Sequence, residues 1–317
     1  MSLVAFDLGG TKLAMAVFNE AGEILFHKIV VLEKRKGSEV AQLITNSFRL
    51  ISIGARLAGN EIKSVGICVP GIYRSKTGTV WAPNIAGWED YPLLAEIKKV
   101  SGKIPVTIDS DRACCILGEV WKGNEQECKD AIFLAVGTGI GAGILINGNV
   151  LRGSNDIAGA IGWMALDAPF KEEYIQCGCF EHYASGEGIA KLAQRFLNEE
   201  KKYSGELKNK SLEETNCHDV FKAYENKDEI AEKVINICIQ FWGMATANLV
   251  SLFNPEKIIF GGGVFGPAVS LIPKIKEEAA KWAQPISIQQ VSFEASRLGN
   301  AAEVFGAGFL ALKNFDS

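Results

Sequence analysis

Apolar positions change period several times along the chain. Residues 3–6 form a short apolar run, residues 12–18 a second rich in Ala, Val and Met, and EILFHKIVVL (23–32) a third. Gly9-Gly10 and the NEAG of 19–22 separate them, which predicts three strands joined by tight turns. From Ser38 to Leu57 the period lengthens to that of a helix, through Val40, Leu43, Ile44, Phe48 and Ile51. SVGICVPGIY (64–73) predicts a buried strand ended by Pro70-Gly71. TIDSDRACCILGEVWKG (107–123) predicts a strand end followed by a helix, with Ser110 or Asp111 as N-cap and Gly123 at its far boundary.

The opening design then returns. AIFLAVGTGIGAGILINGNVL (131–151) reads as apolar strand, glycine turn, small-residue strand, turn and strand, and an offset of about 129 lays DLGGT over VGTGI. A third glycine cluster, IIFGGGVFGPA (258–268), follows a strand and leads into a helix, and a longer helix covers about 228–251. The glycines at 9 and 10 join strand to strand. A Walker loop or dinucleotide fingerprint opens a helix directly after its glycines, and neither spacing is present. A lone glycine pair between strands is more often just a tight hairpin. Three such clusters, each at a strand end, point instead to phosphate-binding turns in two lobes.

Composition narrows the class. At 317 residues and 48% hydrophobic, the chain can bury cores for two lobes. A net charge of −4 with both signs interspersed argues against a nucleic-acid surface. No secretory signal and no long unbroken apolar run are visible, and the eight cysteines sit in apolar or helical contexts. A cytoplasmic protein with reduced thiols is the expectation.

The motifs resemble those of the ROK family of sugar kinases and their repressor relatives. DLGGTK (7–12), VPG (69–71), APNIAGW (82–88), DSDRACCILGE (109–119) and VGTGIGAGI (136–144) carry the likeness. It continues through AGAIGWM (158–164), GCFEHYASG (178–186), IIFGGGV (258–264) and LGNAAEVFGAGFLAL (298–312), in family order. The resemblance implies a duplicated α/β fold of the actin-like ATPase (ribonuclease H-like) type, two lobes with ATP in the cleft. It implies a small lobe of 1–117 plus 298–317 and a large lobe of 118–297. Because DLGGTK starts at residue 7, no winged DNA-binding segment of the repressor kind is expected.

The resemblance also assigns roles. Backbone amides of Gly9, Gly10 and Thr11, with Lys12 and the Gly137, Thr138, Gly139 turn, would cradle phosphates. Asp7 would hold magnesium, Gly261, Gly262 and Gly263 would lie against adenosine, and Asp111 would be the catalytic base. On the sugar side stand Gly71, Asn84, Ser110, Asp111, Ala160, Trp163 and Glu181. From sequence alone, Asp at a helix start is more often a cap than a base.

Four departures mark this chain. The family's Asn before the catalytic Asp is Ser110, and its GExGH Glu and His are Ala160 and Trp163. In the zinc motif, EEYIQCGC (172–179) keeps only Cys179 in register, so the family's structural zinc is expected to be absent; Cys177, Cys179 and His182 remain a weak alternative set. Losing two polar groups from the sugar shell amounts to roughly 2–4.5 kcal/mol. Trp163 either stacks on sugar C–H groups or fills the core.

Three functions compete: an ATP-dependent kinase for a monosaccharide hydroxyl, a non-catalytic sugar or nucleotide sensor, and a chaperone-type ATPase. The retained Asp7, Asp111 and Glu181 favour the kinase, and the chain leaves no length for a chaperone's substrate domain. Sugar and nucleotide are the implied partners, without nucleic acid or membrane; a homodimer is compatible.

Overall fold

The computed structural model describes residues 2–123 and 128–315. It divides into two compact units, 1–128 with 150–158 and 297–317, and 129–149 with 159–296. The helix after Ser110 and residues 150–158 thus fall wholly within the first unit, because Asp109 and Ser75 bind that segment by side-chain hydrogen bonds.

In the first unit β1 (Ser2–Leu8), β2 (Lys12–Phe18) and β3 (Ile24–Val31) form an antiparallel meander. Parallel strands β4 (Ile62–Val69) and β7 (Val106–Ser110) extend it to the order β3-β2-β1-β4-β7, while β5 (Ile72–Arg74) and β6 (Thr79–Trp81) make a separate hairpin. Every residue of β1 except Asp7 is buried, as expected of a central strand covered on both faces. Helix α1 (Ser38–Leu57) buries Val40, Ile44 and Phe48 on one face of the sheet, alongside α2 (Leu93–Ser101) and Trp88. Helix α3 (Asp111–Lys122) packs with the last helix, Ala302–Phe315, at very close range. Gly118 lies against the Ala302 carbonyl and Gly306 against the Cys114 carbonyl, where a Cβ would collide with backbone.

The second unit repeats this plan. Strands β8 (Ala131–Val136), β9 (Ile140–Ile146), β10 (Asn149–Val150), β11 (Lys257–Gly261) and β12 (Ser292–Ala295) take the order β10-β9-β8-β11-β12. The correspondence puts Gly9 on Gly137 and Lys12 on Ile140, one residue less than the offset read from sequence. Helices α4 (Cys179–Ala184), α5 (Gly186–Glu199), α6 (Cys217–Glu225), α7 (Glu229–Phe253), α8 (Ile272–Ala280) and α9 (Ser287–Gln290) cover this sheet. Asp228 caps α7 through the amides of Ile230 and Ala231, and Asn254 ends it in the left-handed conformation. Among the described residues α7 is the one helix long and apolar enough to cross a membrane. Its apolar positions, Val234, Ile235, Cys238 and Trp242 among them, lie in the hydrophobic core of the unit instead.

Candidate active site

The first unit holds a three-residue turn of Gly9, Gly10 and Thr11, closed by a hydrogen bond from Gly9 N to Lys12 O at 2.9 Å. A Cβ on Gly10 would stand 2.8 Å from Asn84 Nδ2, so a glycine there lets Asn84 lie directly on the turn. Thr11 and Lys12 are exposed. Asp7, two residues before the turn, is partly buried, and its pKa is raised to about 7, first by burial and then by the Glu303 carboxylate. Cys68 and Lys12 oppose the shift. A hard dication fits this position, since it takes carboxylate oxygen and would relieve the repulsion between Asp7 and Glu303.

Ser110 is the N-cap of α3, its Oγ accepting from Ala113 N at 3.4 Å. Asp111 is therefore the first helical residue rather than the cap. Its carboxylate accepts from Arg112 N at 2.7 Å and lies 3.9 Å from the Arg112 guanidinium. The sequence expects the helix dipole to favour its ionised form. In the structure desolvation by the surrounding atoms outweighs that and raises the pKa, with Arg112 opposing. Arg112 also donates to the carbonyl of Gly71 at 3.3 Å, joining the Gly71 turn to the start of α3. Behind them the buried Asp109 takes Arg152 Nε at 3.1 Å and Ser110 N at 2.9 Å.

The second unit builds the matching turn of Gly137, Thr138 and Gly139 between β8 and β9, with Gly137 N donating to Gly139 O at 2.9 Å. Two neighbours hold it. Gly186 N donates to Gly137 O at 2.7 Å, and Ile140 N donates to the Glu181 carboxylate at 2.6 Å. Glu181 stands on α4, and its pKa is raised by burial against the pull of that amide. A Cβ on Gly139 or Gly162 would meet the same carboxylate at 2.8 and 2.9 Å. Ala160 opens the short 3-10 turn Ile161–Trp163, and Trp163 at its end is 58% exposed. Trp163 is therefore not a core residue, and the packing alternative falls.

Gly261 and Gly262 have an internal reason to be glycine. A Cβ on Gly261 would enter the Phe133 ring, and Gly262 has φ +87° with the Val136 backbone against it. Gly263 is open, with nothing near its missing side chain.

In the zinc-motif region Cys177 is half-buried, and Cys179 is buried in the core. The His182 ring sits edge-on to Tyr174 and Tyr183. Among the described residues no three His, Cys, Asp or Glu side chains come together as a metal-binding group. A polar network ties the loop. Asp167 accepts from Lys171 at 2.9 Å and from Tyr174 at 2.8 Å, and Lys171 donates to Tyr183 at 2.6 Å. Alongside lies a cavity of about 260 Å³, lined by Gln176, Cys177, Glu181, His182, Glu187 and Lys191.

Sequence reasoning did not single out Asp109, Arg152, Glu303 or the Asp167 network. The first Asp of DSD and the Glu of LGNAAEVFG were in view, but nothing local marks a residue whose partner is distant in sequence.

Two sheets of the same order, each opened by a three-residue glycine turn, define a duplicated actin-like ATPase fold. The ROK family pattern matches residues 3–314, and the chain belongs to the ROK family. It is similar to a glucokinase of Halalkalibacterium halodurans, 33% identical over 99% of this chain and 96% of that protein. It is also similar to a xylose repressor of Caldicellulosiruptor bescii, 27% identical over 96% of this chain and 76% of the repressor. A solved structure of a ROK glucokinase from Streptomyces griseus, in complex with glucose and AMPPNP, shares 26% identity, covers 99% of this chain and 100% of that one, and superposes with TM-score 0.74.

Proposed function

We propose that this chain transfers a phosphoryl group from ATP to a hydroxyl of a monosaccharide, with Asp111 as the base. The observation that carries this reading is the start of α3. Ser110 makes the N-cap bond to Ala113 N, while Asp111, one oxygen bonded to Arg112 N, keeps 45% of its side chain exposed and so within reach of a substrate hydroxyl.

In the reaction the Asp111 carboxylate takes the proton of the sugar hydroxyl as its oxygen forms the new bond to the γ-phosphorus. The bond from that phosphorus to the bridging oxygen breaks, and ADP leaves with the electron pair. In the first unit the amides of Gly10 and Thr11, with the Lys12 ammonium, donate to phosphate oxygens, Gly9 N being engaged with Lys12 O in closing the turn. In the second unit the amides of Thr138 and Gly139 are the equivalent donors, since Gly137 N closes that turn onto Gly139 O. Magnesium held near Asp7 supplies charge neutralisation of the phosphates when bound. Gly263 offers an open backbone surface to the adenosine, whereas Gly261 and Gly262 serve its placement by packing on β8.

Gly71, Asn84 and Ser110 present the sugar contacts of the first unit, and Ala160, Trp163 and Glu181 those of the second. The exposed Trp163 indole and the Ala160 methyl replace a carboxylate and an imidazole. A hydroxyl facing them lacks a partner, which costs about 1–3 kcal/mol. The sugar accepted best therefore turns C–H surface, an acyl group or a missing hydroxyl toward Trp163.

The same feature favours a second reading, a non-catalytic sugar sensor on this fold. Sugar-dependent ADP release over a panel of hexoses, N-acyl amino sugars, glycosides and polyols separates the two. The kinase reading expects turnover with at least one member, and the sensor reading expects binding without turnover.

A further inference from the structure

The strand that delivers Asp111 ends on an ion pair for which phosphoryl transfer has no direct use. Asp109, next to last in β7, is buried, and its two carboxylate oxygens serve different partners. One accepts from Ser110 N at 2.9 Å. The other accepts from Arg152, through Nε at 3.1 Å and also through Nη2. A planar guanidinium that brings two donors to one oxygen fixes the plane of the carboxylate as well as compensating its charge. The plane of Asp109 in turn directs its bond to the Ser110 amide. Ser110 is the N-cap of α3, and Asp111 follows it in the chain.

Arg152 is itself held in place. Its carbonyl accepts from Ala158 N at 3.1 Å, which closes residues 152–158 into a loop. Asp156, in the left-handed region at φ 60°, accepts from Ser75 N and from Ser75 Oγ, both at 3.0 Å. Lys76 Nζ donates to Ser154 O at 3.2 Å. Both anchors directly follow β5, and the loop lies within the first unit. Arg152 thus stands behind Asp111, with Asp109 and Ser110 between them.

The fold has other means of holding this region. The ladder between β7 and β4 runs from Val106 to Ser110, and α3 is capped by Ser110 Oγ and packed on the last helix. An ion pair with a buried member adds little net stability, because desolvation offsets the attraction. What this pair supplies is direction, two residues before Asp111.

We propose that Arg152 is a positioning residue for the base. By orienting Asp109 it fixes the Ser110 peptide and the first turn of α3, and so the place from which Asp111 meets the sugar hydroxyl. The inference rests on the reading of Asp111 as the base.

Two readouts on the full chain test it. Hydrogen exchange with mass spectrometry follows the start of α3 without turnover, and ADP release on the best sugar of the panel follows the base. Arg152→Met should speed exchange in peptides covering 108–114 about tenfold or more and leave α7 unchanged. It should lower kcat about tenfold to a hundredfold, with KM for ATP within about twofold. Arg152→Lys keeps the charge without the fork and should recover only part of both losses; it also carries both readouts if Arg152→Met does not fold. Asp109→Asn added to Arg152→Met removes the stranded charge. The double variant should regain Tm, yet keep a kcat about tenfold or more below the parent, because nothing orients residue 109. Unchanged exchange at the start of α3 overturns the proposal. So does faster exchange with parental kcat, or a double variant whose kcat returns to the parental value along with Tm. A parent that releases no ADP with any sugar overturns the reading of Asp111 and the proposal with it, whereas the other outcomes overturn the proposal alone.

Discussion

The backbone N–H of Ile140, the residue directly after the second glycine turn, donates to the carboxylate of Glu181 at 2.6 Å. One side chain thus borders the turn assigned to phosphate and carries the carboxylate assigned to sugar. Glu181→Gln keeps an oxygen that can accept from Ile140, so it should raise KM for the sugar about tenfold and leave KM for ATP within about twofold. Glu181→Ala removes that acceptor and should raise both constants. Steady-state kinetics with each substrate varied in turn checks this, and an unchanged ATP constant in the alanine variant would detach the carboxylate from the turn.

Asp7 gives a pH signature. Its pKa is raised to about 7 in the folded chain, mainly by burial. A carboxyl raised in the folded state binds a proton more tightly there than when unfolded. Its contribution is therefore full below the ordinary carboxylate range and is lost as pH rises through about 7. The difference is at most about 4 kcal/mol, at about 1.4 kcal/mol per pKa unit. Thermal unfolding without magnesium should show the parent losing stability between pH 5 and 8, and Asp7→Asn losing less. Added magnesium should stabilise the parent most at the alkaline end. Equal pH slopes in parent and variant would remove Asp7 from this role.

Trp163 should act on selectivity and not on folding. It is exposed, so Trp163→Ala should shift Tm by no more than a degree or two. The same variant should lower kcat/KM for acyl- or glycoside-bearing sugars about tenfold. Ala160→Glu together with Trp163→His should move preference toward glucose, read as a ratio of kcat/KM values. A parent that already handles glucose best in the panel contradicts this.

Purified protein should contain far less than one zinc per chain. Cys179 is the single family ligand kept in register, and Asp167, Lys171, Tyr174 and Tyr183 knit the loop by hydrogen bonds. Elemental analysis measures this directly, and a stoichiometric zinc would turn attention to Cys177, Cys179 and His182. Asp167→Ala should lower Tm by several degrees, since it leaves two tyrosine hydroxyls and a lysine short of a partner.

Much of the fold was legible because its signals are local. The apolar runs of β1, β2 and β8, the period of α1 and the glycine turns each lie within a dozen residues, and the two hairpins repeat one design. The start of α3 was legible only as a choice between Ser110 and Asp111, and the structure resolves it by the Ser110 Oγ to Ala113 N bond. Arg152 and Glu303 were not legible. Arg152 sits in a polar loop and acquires meaning only by meeting Asp109, 43 positions away in the chain. Glu303 matters because the last helix brings it into the field of Asp7.

The central claim is that this chain phosphorylates a sugar with Asp111 as the base, and one comparison tests it most directly. ADP release is measured for the parent and for Asp111→Asn on the best sugar of the panel, with nucleotide binding and Tm followed in parallel. The account predicts sugar-dependent ADP release by the parent and a turnover number at least about 10²-fold lower in the variant, with nucleotide affinity and folding retained. A parent that releases no ADP with any sugar, or a variant with near-parental turnover, contradicts it.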